Sequence, residues 1–162
     1  MNTATATFGR SIHSHGNWNI VLEIAAREVF ELMLNSQLTT PAAPFAQDHN
    51  ITAMVGFAGE LCGVLILGCS LESSNLMASR MLGVHPGEIA RENCDAFGEI
   101  CNMIAGNFKN KISGLGNGCM LSVPAIISGG HYHVHPLSRA EAVEVTLLFE
   151  GAPVSISLRV HN

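Results

Sequence analysis

Phe97, Ile100, Cys101, Ile104, Phe108 and Ile112 recur at three- and four-residue steps. At 100° per residue they fall on one broad helical face. Asp95, Glu99, Asn102, Gly106 and Asn110 fall on the other. The pattern predicts a long helix over about Glu88–Ser113, preceded by Pro86 and Gly87 and broken by Gly114, Gly116 and Gly118. Nearer the start, Asn17 or Asn19 can cap a helix through about Asn35, with Ile20, Ile24, Val29 and Leu32 as inward-facing candidates. A further helical segment is expected from about Ser73 to Leu82, ended by Gly83.

Other stretches are β-rich instead. Ile51–Ala58 and Leu61–Cys69 are β-rich runs joined at Ala58-Gly59-Glu60, a hairpin pattern. Gln37–Asn50 carries Pro41 and Pro44 and reads as a loop. Later strands are expected over Cys119–Ser128, Ala142–Glu150 and Val154–His161. There is a short internal echo: Phe57 and Phe149 each stand two residues before a hairpin glycine, Gly59 and Gly151. A β-rich run follows each, Val64–Leu67 and Val154–Ser157, and a helix precedes each. Two helix-plus-strands halves imply an α+β domain with helices packed on a mainly antiparallel sheet.

Composition narrows the function classes. A chain of 162 residues that is 48% hydrophobic, with a mean hydropathy of +0.30, implies one well-filled domain over 1–162. Residues 1–16, rich in Thr, Ser and His, read as a flexible arm with no apolar signal-peptide core. The longest strongly apolar stretch, Leu61–Leu67, is far short of the ~20 residues of a membrane span, so a cytosolic location is expected. A net charge of −5 with only 8 Lys and Arg argues against nucleic acid and anionic membranes. The five cysteines form no Cys-x-x-Cys pair, and Cys62, Cys69, Cys94 and Cys101 sit among apolar residues as small hydrophobes. His131, His133 and His135 alternate, but with no carboxylate or cysteine nearby they read as a solvated loop or strand edge rather than a metal site. Gly114–Gly118 follows a helix, whereas a phosphate loop leads into one, so it reads as helix termination.

Glu99 and Asn102 stand one turn apart, opposite the apolar stripe of their helix. A carboxylate and a carboxamide so placed can grip a cation and orient one water together. Asn is a poor mid-helix residue, and Gly106 costs about 1 kcal/mol against Ala. A glycine there also removes the side chain that would keep another backbone away. The run Asp95-x-x-x-Glu99-x-x-Asn102-Met-Ile-Ala-Gly106-Asn107, with Pro124 some twenty residues on, resembles the signature of the CheC/CheX/FliY family of bacterial chemotaxis phosphatases. The first helix offers Glu23-x-x-Ala26, Glu28-x-x-Glu31 and Glu31-x-x-Leu34, none with Asn in place. The resemblance is therefore to the single-site CheX type.

That resemblance implies a CheC-like fold of two helix-plus-three-strand halves, and an aspartyl-phosphate phosphatase acting on a phosphorylated CheY-type response regulator. Asn102 would orient the attacking water, Glu99 would pair with the regulator's phosphate-binding lysine, and Asp95 and Gly106 would support partner contact. A carboxamide suits the first task because it donates and accepts yet stays neutral beside the dianion. Mg2+ is expected in the regulator's own acidic pocket, with no metal or other cofactor bound by this chain. A homodimer is implied as well. The alternative is a non-catalytic module of the same fold that docks a regulator, or a homodimer scaffold.

Overall fold

A computed structural model describes residues 17–45, 49–89, 92–130, 132–134 and 141–161. The expected arm over residues 1–16, together with His131 and His135, lies outside the described residues. The elements in chain order are Trp18–Leu34 (α1), Ile51–Gly59 (β1), Cys62–Cys69 (β2), Leu71–Leu82 (α2), Glu92–Lys111 (α3) and the short Leu115–Gly118 (α4). Cys119–Leu121 (β3), Ala125–Ser128 (β4), Glu141–Phe149 (β5) and Ala152–His161 (β6) complete the chain.

The strands form one antiparallel sheet in the order β3-β1-β2-β6-β5, with β4 also on β1. Beyond β5, Thr39 and Leu148 exchange backbone hydrogen bonds of 3.0 and 2.8 Å. The expected halves are therefore present. The first is α1, the Thr39 bridge, β1 and β2; the second is α3, the β3/β4 segment, β5 and β6. They meet at the β2–β6 pair. Their aromatic anchors correspond too: Phe30 packs edge-on against Phe149, and Phe108 against Phe57.

Helices α1 and α3 pack on the sheet, whose inner face bears the fully buried Val55, Leu65, Leu67, Ile156 and Leu158, while α2 packs mainly against α3 and α1. On α3 the apolar face holds as expected: Phe97, Ile100, Cys101, Ile104 and Phe108 are fully buried, with Ile112 half-buried at the end. On α1 the expectation is corrected. Val29 is buried, but Ile20, Ile24 and Leu32 are exposed. The segment holds two interleaved apolar stripes, and the one containing Trp18, Leu22 and Phe30 turns inward. It carries the larger aromatic area, so burying it releases more water-exposed apolar surface.

Two boundaries also move. Pro86–Glu88 is a separate 3-10 turn, with the Gly87 N–H donating to His85 Nδ1 and Glu88 accepting from the His85 N–H, so α3 starts later than expected. The expected strand Cys119–Ser128 is split by Pro124 into β3, which pairs with Phe57–Gly59, and β4, which pairs with Ile51–Met54. Proline donates no ladder hydrogen bond, so the strand turns a corner there.

Candidate functional site on the long helix

The site is a stripe of α3 and the corner it faces. Gly98, Asn102 and Gly106 succeed one another at four-residue steps and share one side of the helix. At one end, a Cβ on Gly98 would lie 3.2 Å from Pro124 Cβ and 3.3 Å from Ile126 Cδ1. At the other, a Cβ on Gly106 would lie 3.9 Å from Leu121 Cδ1. The corner Leu121–Pro124 thus rests against α3 at two glycines, with half-buried Asn102 between them. Ser122 pins that corner to β1 by a two-way clamp: its N–H donates to Gly56 O at 2.9 Å, and its Oγ accepts from the Gly56 N–H at 2.8 Å.

Asp95 and Glu99 stand on the exposed side of the same stripe. Among the described residues, the side chains of Asp95, Glu99 and Asn102 make no hydrogen bond or ion pair. Other polar side chains of α3 are engaged. Asn107 Nδ2 donates to Ala25 O and to Glu28, Lys111 pairs with Glu28, and Lys109 Nζ donates to Cys119 O. Asn93 Nδ2 donates to Asn75 Oδ1, joining α3 to α2. These contacts tie the helix to its neighbours and leave the Glu99/Asn102 turn uncommitted. Glu28 is held below the usual carboxylate range by its hydrogen bonds to Lys111 and Asn107, so it stays charged and keeps α3 docked on α1.

On the opposite side of α3, burial pushes the Cys101 thiol up to about 12. It is a protonated core group and no nucleophile at neutral pH. Cys69 is pushed up to about 12 in the same way. Among the described residues, no cluster of three or more His, Cys, Asp or Glu could hold a metal ion. His133 is described outside helix and strand, and its neighbour Tyr132 donates to Thr52 Oγ1 at 2.7 Å.

The four candidates Asp95, Glu99, Asn102 and Gly106 thus share one side of α3, the first two exposed and the last two half-buried, and Pro124 stands beside that side. Gly98 was not singled out by the sequence pattern. The signal for it was present in the four-residue spacing Gly98-x-x-x-Asn102-x-x-x-Gly106.

Residues 51–148 match the family model described as chemotaxis phosphatase CheX. The chain belongs to the CheX family. It is 29% identical over 82 residues to the CheY-P phosphatase CheX of Thermotoga maritima, a match covering 50% of this chain and 53% of that protein. The chain thus spans about half the length of the curated relative it matches. Among solved structures, it resembles a CheC-like superfamily protein from a Shewanella species with a TM-score of 0.77 and 19% identity, covering 92% of this chain and 100% of that one. A chain of the CheX–CheY–BeF3–Mg2+ complex of Borrelia burgdorferi matches with a TM-score of 0.72 and 20% identity, covering 90% and 98%. At these identities the structural likeness speaks for a CheX or CheC-like fold. The two-half sheet described above agrees with it, and among the described residues no helix is long and apolar enough to cross a membrane.

Proposed function

We propose that this chain hydrolyses the aspartyl phosphate of a CheY-type response regulator, shortening the lifetime of a chemotaxis signal in the cytosol. The observation that carries the reading is the uncommitted pair: Glu99 and Asn102, a turn apart on an exposed face, with every neighbouring tether made by other residues. Family membership and the activity named for the Thermotoga relative support it.

An acyl phosphate is already activated, so catalysis is mainly a matter of placing water and accommodating charge. The Asn102 carboxamide accepts from the attacking water through its oxygen and donates through its nitrogen, which holds that water in line with phosphorus. Being neutral, it adds no repulsion towards the dianion. Glu99 takes the regulator's phosphate-binding lysine in a charge-assisted hydrogen bond, fixing the helix in register over the partner's site. Asp95 adds negative charge one turn earlier on that face, and Gly106 lets the partner's backbone come close. The regulator's own Mg2+ neutralises charge on the phosphoryl oxygens; this chain supplies no ligand to it. A homodimer is part of the proposal.

The test is the decay of a phosphorylated CheY-type regulator from the same organism, with and without catalytic amounts of this protein. Faster decay with wild type but not with Asn102→Ala is expected. Binding without acceleration would replace the reading with that of a docking module. Sedimentation at micromolar concentration tests the dimer.

A further inference from the structure

At Gly98 the backbone of α3 comes close to the Pro124 corner. Gly98 is buried, and its built Cβ meets Pro124 Cβ at 3.2 Å, Ile126 Cδ1 at 3.3 Å and Pro124 Cγ at 3.7 Å. The first two separations are tighter than ordinary van der Waals contact. Pro124 Cβ is one bond from the backbone inside a closed ring, so it cannot swing aside as a long side chain can. The Ser122 clamp to Gly56 fixes the chain two residues before it, and the β4–β1 pairing fixes the chain just after it. A methyl at 98 therefore pushes the corner and the helix apart as bodies.

Asn102 is one turn further along the same stripe. Its carboxamide stands on two rotatable bonds and lies between the two glycines that face the corner. The terminal torsion of an asparagine is broad, so walls rather than intrinsic preference must hold the carboxamide. Gly106 differs in kind. Its built Cβ meets Leu121 Cδ1 at an ordinary 3.9 Å, so this chain itself places no demand for glycine there.

We propose that Gly98 is a positioning residue for the phosphatase site: by seating the Pro124 corner on α3, it holds the Asn102 carboxamide in the orientation that aims the attacking water. The proposal rests on the reading that Asn102 orients that water. Gly98 touches neither substrate nor partner; it acts through the width of the gap beside Asn102.

The experiment compares wild type, Gly98→Ala and the double variant Gly98→Ala/Ile126→Val in phosphorylated-regulator decay. Each protein's thermal midpoint and the NMR order of its Asn102 side-chain NH2 group are also recorded. A displacement of a few tenths of an ångström in the reacting arrangement predicts a fall of about 3- to 10-fold in kcat with KM unchanged. Removing Ile126 Cδ1 in the double variant restores part of the rate. The thermal midpoint of Gly98→Ala moves little, because alanine's better helix propensity opposes the tighter contact. The Asn102 amide becomes more mobile in Gly98→Ala and recovers in the double variant.

Unchanged kcat and unchanged amide order in Gly98→Ala would overturn the proposal, as would a loss of rate that tracks a loss of fold. If wild type fails to accelerate decay, the phosphatase reading fails. The amide-order comparison then still decides whether Gly98 positions Asn102.

Discussion

The two halves of this domain share a plan and differ at one corner. From each, a helix carries a phenylalanine onto the phenylalanine that precedes the other half's hairpin, and a short segment pairs with a strand of the other half before a proline. Thr39 bridges Leu148 as Ser122 bridges Gly56, so Leu38-x-x-Pro41 answers to Leu121-x-x-Pro124. In the first half Arg27 closes the corner: its guanidinium donates to Leu38 O, to Thr40 Oγ1 at 3.0 Å and to Glu23 at 2.7 Å. In the second half the corresponding helix faces its corner with Gly98, Asn102 and Gly106, and among the described residues no side-chain hydrogen bond from that helix reaches Leu121–Pro124. One frame has thus been tied by a side chain at one corner and seated on glycine, with its carboxamide untied, at the other. A functional surface here is recognised by polar groups the fold does not use.

The largest effect should fall equally on both halves. Phe30 and Phe108 are each fully buried. Phe30→Ala and Phe108→Ala should each cost about 3–5 kcal/mol of unfolding free energy, measured by urea titration. A disparity of more than a factor of two would break the structural equivalence. The next effect should fall on one half only. Asn102→Ala should lower kcat on the order of 100-fold with KM little changed, while Glu99→Ala should lower kcat and weaken binding together. Full activity in both would remove the site from α3. Neither change should alter stability by more than about 0.5 kcal/mol, because neither side chain is engaged within the chain.

Two smaller contrasts sharpen the comparison. Gly106→Ala should stabilise the helix by about 0.5–1 kcal/mol, since its new methyl meets only an ordinary contact, yet raise KM about tenfold if a partner backbone comes close there. Unchanged KM would remove Gly106 from the interface. Arg27→Ala opens the first corner, leaving Leu38 O and Thr40 without their donor. A loss of about 1–2 kcal/mol with no change in phosphatase rate is expected, because that corner carries no carboxamide. An effect on rate would mean the halves are coupled.

The long helix was legible because its core face and its polar face separate cleanly in the sequence, and Glu99, Asn102 and Pro124 keep a recognisable spacing. The hairpins were legible from Gly59 and Gly151, which do adopt left-handed backbone angles of φ 123° and 82°. On α1 two apolar stripes compete, and only the packed neighbours decide that Ile20, Ile24 and Leu32 face outward. The strand break at Pro124 was visible as a residue but not as a corner, because what it rests on, Gly98, is 26 residues away in sequence. The Thr39 bridge lay inside an expected loop for the same reason: a single bridge has no periodicity to betray it.

The smallest effect concerns the tether between the halves. Glu28 of α1 accepts from Asn107 Nδ2 at 2.8 Å and from Lys111 Nζ at 2.9 Å, so it binds the helix that carries the site. Its pKa is lowered from 4.5 chiefly by the hydrogen bond to Lys111 and then by that to Asn107, with burial opposing. A carboxylate depressed in the folded state contributes stability that is full above its unfolded value of 4.5 and is lost as pH falls below that value and through the lowered one. Glu28→Gln should therefore flatten the acid limb of the stability profile in that window while leaving the neutral-pH decay rate nearly untouched. Salt should shrink the difference, because the pair is solvent-exposed. Identical acid limbs for the two proteins would show that Asn107 and Lys111 hold α3 equally well through a neutral carboxamide, and that charge plays no part in docking the site-bearing helix onto its partner half.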